Sequence, residues 1–224
     1  MGNFLRRTWH GTRDGIRDLR LAIALPGFGS MLGALFLTQM VDRSYGPILP
    51  LFVAYLGTPD NQVASFSGLV VSLGAAAMGV SAGLGGVVAS RWRVHPLLVA
   101  SLVAGVCLCA PMALVETPMQ FLILRVLIGL FAGGTVTLIM SLANTRIPSA
   151  SKGTAFGVIS SATLLGTAIS PLITGALAGF DLRLVFGLNS LLYLIALLWV
   201  LRSPQVVALI AVGTVASGPV DPTD

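Results

Sequence analysis

Six apolar runs, each close to the ~20 residues a helix needs to cross a bilayer, follow one another between residues 24 and 202. They fall at about 24–57, 62–89, 96–115, 118–143, 153–179 and 182–202. Short polar breaks separate them: Gly57-Thr58-Pro59-Asp60-Asn61, Arg91-Trp92-Arg93, Glu116-Thr117-Pro118, Arg146 to Lys152, and Gly179-Phe180-Asp181. Only 9% of the residues are charged, against roughly 25% in an ordinary soluble domain. So few charges cannot cover a water-facing surface, which excludes a soluble enzyme or binding module. High apolar content excludes intrinsic disorder as well. Inside hydrocarbon every backbone polar group must be satisfied within the chain, which favours helices here. The expectation is an all-α transmembrane six-helix bundle over 24–202. A basic amphipathic segment (1–23) precedes it and a tail (203–224) follows, its weak apolar stretch Val206–Ala216 too short to span.

The net charge of +5 does not point to nucleic acid, because of where the charges lie. With the N-terminus on the cytoplasmic side, that side receives Arg6, Arg7, Arg13, Arg17, Arg20, Arg91, Arg93, Arg146, Lys152 and Arg202. The opposite side receives Arg183 with the acidic Asp60, Glu116 and Asp181. Ten against one follows the positive-inside rule, and only an even number of spans keeps the alternation. A multi-pass cell-membrane protein with both termini cytoplasmic is expected.

Three charged residues fall well inside the runs: Asp42, Arg43 and Arg125. A charge at that depth costs at least a few kcal/mol, so it usually faces a bundle interior or a wet cavity. Asp42 lies near the middle of the first run and can serve as a protonatable carboxylate in a transport path, or in a structural ion pair. Neighbouring Arg43 points elsewhere around a helix, since successive positions diverge. Arg125 lies about 10 Å into the fourth run at 1.5 Å per residue. It is either a buried charge at a helix crossing or an arginine snorkelling to the outer headgroups.

Small residues mark where helices can approach. Gly129 and Gly133 lie four apart after Arg125, and Ala162, Gly166 and Ser170 line one face of the fifth run. Pro171 follows, with Gly175 and Gly179 beyond it, and is expected to kink that helix. The second run is equally glycine-rich: Gly68, Gly74, Gly79, Gly83, Gly85 and Gly86. Cys107 and Cys109 point to different helix faces and read as small hydrophobes. No His/Cys cluster suggests a metal, no cofactor motif is present, and no paired acids or nucleophile–histidine set within the runs suggests an enzyme.

With these features in place, the chain resembles one half of a major facilitator superfamily transporter, closest to the bacterial drug:proton antiporter branch. The residues that carry the likeness are Arg125-x-x-x-Gly129 in the fourth run, Gly166 to Gly175 around Ser170-Pro171 in the fifth, and Pro47-Ile-Leu-Pro50-Leu-Phe-Val in the first. Gly86-Val-Val-Ala-Ser90-Arg91-Trp-Arg93 is similar to the family's loop motif, keeping Gly86 and Arg91 while Ser90 stands where the family has aspartate. That degenerate loop and the basic run ahead of the first span are typical of C-terminal halves. The resemblance implies two inverted three-helix repeats, runs 1–3 and 4–6. Polarity points to a cavity lined by runs 1, 2, 4 and 5, with runs 3 and 6 turned to lipid: the in-span charges lie in runs 1 and 4 and the Gly/Ser-rich faces in runs 2 and 5.

The function it implies is secondary active transport, proton-coupled efflux of small hydrophobic or amphiphilic compounds. Asp42, Arg43 and Arg125 would lie in the substrate and proton pathway. Gly86, Arg91, Gly129, Gly166, Pro171 and Gly175 would serve gating or packing. The alternative is a non-transporting remnant or accessory membrane subunit. Lipid, protons and a small-molecule substrate are the expected partners. The open polar face is expected to be covered by a second copy or by a separately encoded six-helix half.

Overall fold

The computed structural model describes residues 28–91, 94–147 and 152–202. The expected segments 1–23 and 203–224 lie outside the described residues. Seven helices result: α1 (Phe28–Tyr55), α2 (Asp60–Arg91), α3 (Val94–Met112), α4 (Pro118–Ala132), α5 (Thr135–Arg146), α6 (Lys152–Ala178) and α7 (Leu182–Arg202).

Five rods are long and apolar enough to cross a membrane: 60–88, 94–112, 118–144, 152–178 and 182–202. The first run forms the sixth rod of the bundle, 28 residues long, but it falls short of that apolarity. Gln39, Asp42, Arg43 and Ser44 occupy its middle. It need not meet a lipid standard, because protein covers much of it: Ala34, Leu35, Val41, Phe52 and Val53 are fully buried.

The fourth run departs from the single helix expected over 118–143. It breaks at Gly133–Gly134, so that α4 and α5 form one rod with a fault in it. The Gly133 N–H is shared between the carbonyls of Gly129 and Ile128, each at 3.1 Å. Thr135 Oγ1 donates to the Ala132 carbonyl at 2.6 Å. A hydroxyl competing for a helix carbonyl beside two flexible residues is enough to interrupt the ladder. At its start, α4 is well specified: Thr117 and Gln120 form a capping box, with Pro118 in the first turn. The third helix begins at Val94, which takes His95 into its first turn, and it ends at Met112, short of residue 115.

The packing shows the repeat. α1 packs chiefly on α6 and α7, α2 on α4 and α5, and α3 on α7 and on α4 and α5. Exchanging the first three rods with the last three leaves this pattern unchanged. The α1–α6 pair becomes α4/α5–α2, the α1–α7 pair becomes α4/α5–α3, and α3–α7 maps onto itself. That is the pairing expected of two three-helix repeats in a half bundle. One face of α7 is buried through Val185, Phe186, Asn189, Tyr193 and Ala196. The opposite face exposes Leu191, Leu194, Ile195, Leu198 and Trp199, apolar side chains suited to lipid.

An aromatic knot closes one end of the bundle. Phe52 near the end of α1 meets Phe121 of α4 at 5.1 Å and Phe186 of α7 at 4.6 Å between ring centroids. Tilted and edge-on rings at these separations add to burial.

Candidate functional site

Above the knot, towards the middle of α1, the charged residues gather. Tyr45 is buried, and its ring carries the guanidinium of Arg125, whose Cζ lies 3.9 Å from the ring centroid. Arg125 therefore does not snorkel outwards. It turns into the bundle, is half-buried, and keeps a buried Nη1 without a hydrogen-bond partner among the described residues. The ring's negative face offsets part of the cost of burying that charge. Gly74 of α2 makes room for it: a Cβ there would touch Arg125 Cγ at 3.4 Å.

The other end of Tyr45 points at sulfur. Its hydroxyl lies 3.4 Å from Cys109 Sγ and donates to Met112 Sδ at 3.7 Å. Tyr45 thus ties α1 to α3 through its hydroxyl and to α4 through its ring. Cys109 is a buried core thiol and Cys107 an exposed one, as their two-residue spacing implies.

Asp42 lies one turn before Tyr45 and is half-buried. Arg125, ahead of sequence-adjacent Arg43, is the main positive charge acting on it. No direct ion pair joins them among the described residues. Arg43 points away and is exposed. The three in-span charges therefore separate into two that are half-buried, Asp42 and Arg125, and an exposed Arg43.

The motif residues divide in the same way. Gly129 sits against α2, where an added Cβ would come within 2.7 Å of the Gly74 carbonyl oxygen. Gly166 sits against α1, where a Cβ would come within 2.7 Å of the Phe36 carbonyl oxygen. Ser170, one turn on, donates to the Met40 carbonyl at 2.6 Å. Gly166, Ser170 and Thr174 form the buried seam of α6, whereas Pro171 and Gly175 face outwards. α6 continues through Pro171 as one helix. Gly86 and Gly175 have open space where a Cβ would be. The side chain of Arg91 lies outside the described residues.

Sequence reasoning passed over several partners. Ser44 and Asn189 form a buried polar pair between α1 and α7, with Asn189 Nδ2 donating to Ser44 Oγ at 2.8 Å. Ser190 donates to the Val106 carbonyl of α3 at 3.2 Å. The signal was present: Asn189 and Ser190 are the polar exceptions in an otherwise apolar run. Tyr45 carries no such signal, since an aromatic residue in a span is ordinary.

Comparison with known proteins agrees with this architecture. The family model of the Major Facilitator Superfamily matches residues 31–215. Over 165 residues the chain is 32% identical to the Multi-drug resistance efflux pump PmrA of Streptococcus pneumoniae, covering 73% of this chain and 41% of that protein. Over 179 residues it is 33% identical to the Multidrug resistance protein MdtG of Enterobacter lignolyticus, covering 77% and 43%. The chain thus spans about two fifths of the length of the curated relatives it matches. On the strength of its six-rod bundle and the match over most of its length, this multi-pass membrane protein belongs to the Major Facilitator Superfamily, a family of transporters and not of enzymes.

Proposed function

We propose that this chain forms a six-helix part of a proton-coupled transporter that expels small hydrophobic or amphiphilic compounds, with Asp42 as the coupling carboxylate. One observation carries the reading: Asp42 stands half-buried at mid-span, one turn from a tyrosine that holds the Arg125 guanidinium at 3.9 Å. The charge state of a carboxylate at this depth depends on its hydration and on the cations around it. A change in hydration or in the Arg125 position then becomes a change in protonation. The relatives are named as multidrug efflux and resistance proteins, which favours efflux as the direction.

The orientation we propose places both termini in the cytoplasm, on the arginine asymmetry of the loops. The partner we propose is a second six-helix body, either another copy or a separate half. Open space lies over Gly68, Gly79, Gly83 and Gly86 of α2 and over Gly175 of α6, and small residues favour close helix contact in lipid. Gly74 is not part of that surface, because Arg125 fills the space beside it.

The test is transport by proteoliposomes under an imposed pH gradient. Wild type should move an amphiphilic dye when the gradient is applied. Asp42→Asn should insert and fold normally yet lose gradient-driven movement. Full proton-driven transport by Asp42→Asn would remove Asp42 from the role. No transport by any preparation, with a stable monomer, would favour the remnant reading.

A further inference from the structure

Arg43 is the in-span charge that the rest of the bundle leaves unanswered. It lies fifteen residues after Phe28 and twelve before Tyr55, close to the middle of a 28-residue helix. It is exposed, and no hydrogen bond or ion pair meets it among the described residues. Half-buried Asp42, one position earlier, has neither as well. Gly46, Pro47 and Pro50 stand exposed beside Arg43. Pro47 and Pro50 lack the N–H groups that would meet the carbonyls of Arg43 and Gly46 one turn earlier. A guanidinium at mid-depth beside carbonyls deprived of their helical donors cannot rest against lipid tails. Something polar has to cover this face.

The helix geometry says what kind of cover fits. Gly166 and Ser170 of α6 lie at Phe36 and Met40 of α1, and Asn189 of α7 meets Ser44, so those sides of α1 are taken. At about 100° per residue, Asp42 falls on one flank of the open face, beside exposed Gly46, and buried Ser44 falls on the other. The open face thus carries a positive charge at its centre and a negative charge at its edge, about 1.5 Å apart in height. Such a face is complementary to itself. A twofold axis along the membrane normal sets two α1 helices parallel, with residue 42 of one close to the height of residue 43 of the other. Arg43 then meets the partner's Asp42, and Asp42 meets the partner's Arg43, so that one contact answers both charges of both copies. A surface carrying a lone acid would answer Arg43 and leave Asp42 as before.

We infer that the open face of α1 is a contact between two copies of this chain, held by reciprocal Asp42–Arg43 ion pairs across a twofold axis. The inference rests on the proposed need for a second six-helix body and commits that body to another copy. A planar guanidinium offers a fork of donors to a carboxylate, and a contact with little bulk water strengthens that attraction. The same dryness penalises a charge left alone, so loss of one member of the pair exposes the other. α2 and α6 both pack on α1, and the open glycine surfaces they carry can extend the same contact.

The test co-expresses two full chains with different affinity tags and purifies them in mild detergent. One carries Asp42→Arg, which makes its face doubly positive, and the other Arg43→Asp, which makes its face doubly negative. Light scattering should find wild type dimeric and each variant alone monomeric. Expressed together, the two should be recovered as a mixed dimer, at least about tenfold more of it than either forms with itself. A monomeric wild type would overturn the inference. So would self-association of either variant at the wild-type level, or no mixed dimer from two inserted variants. Where a charge reversal fails to insert, Arg43→Gln decides, because that side chain is exposed and its loss leaves the bundle intact. Its dimer affinity should fall at least about tenfold, and wild-type affinity would overturn the inference. The transport assay keeps the two readings apart. A dimer that obeys these charges yet moves no dye would sink the transporter reading alone. Transport by a wild-type chain whose association ignores both charges would sink this one alone.

Discussion

The guanidinium of Arg125 lies over the ring of Tyr45, eighty positions away in the chain, with Cζ 3.9 Å from the ring centroid. Tyr45→Leu removes the π-face beneath a charge that already has one unpartnered buried nitrogen. A desolvated cation–π contact is worth about 2 kcal/mol, and that loss is the expected destabilisation. Tyr45→Phe keeps the ring and gives up only the weak hydroxyl contacts to Cys109 and Met112. Thermal unfolding in mild detergent should therefore rank wild type, Tyr45→Phe and Tyr45→Leu in that order, with the larger step at leucine. Equal effects of the two changes would locate the stabilisation in the hydroxyl instead.

Glycines that look alike in sequence should behave differently. Gly166→Leu pushes a side chain into the Phe36 carbonyl, and Gly129→Leu into the Gly74 carbonyl. Backbone cannot yield as a flexible side chain can, so both variants should lose their monodisperse peak in size-exclusion chromatography. Gly175→Leu meets nothing within 4 Å and should fold. Its expected effect is weaker association, read by light scattering, and wild-type association in that variant would remove α6 from the proposed contact.

The Ser44–Asn189 pair should contribute modestly. Interhelical hydrogen bonds in membranes average ~0.6 kcal/mol. Ser44 Oγ also lies 2.7 Å from the Val41 carbonyl of its own helix, so it keeps a partner when Asn189 is lost. Asn189→Leu should thus lower unfolding stability by about 1 kcal/mol or less, measured by denaturant titration. A loss several times larger would mean that the amide holds something beyond Ser44.

Topology is testable without transport. Reporter fusions at Asp60, Glu116 and Asp181 should all read outside, and fusions near Arg146 should read inside. A cytoplasmic signal at any of the first three would reverse the proposed orientation or change the number of spans.

The sequence alone determined that this is a helical membrane bundle, where its rods begin and end to within a few residues, and which family it resembles. Those properties are local or one-dimensional: run length against bilayer thickness, loop charge, the Glu116-Thr117-Pro118 break and the Ser170-Pro171 motif. The tertiary structure decided which charges are covered. Asp42 and Arg43 are neighbours in the chain, yet successive helical positions diverge, and the azimuth of α1 half-buries one and leaves the other exposed, while Arg125 comes to lie over Tyr45. It also decided that Gly166 is a contact and Gly175 is free, and that the fourth run breaks at Gly133–Gly134. Helix azimuth is set by the packing of every neighbouring rod at once, and no single run of residues encodes it.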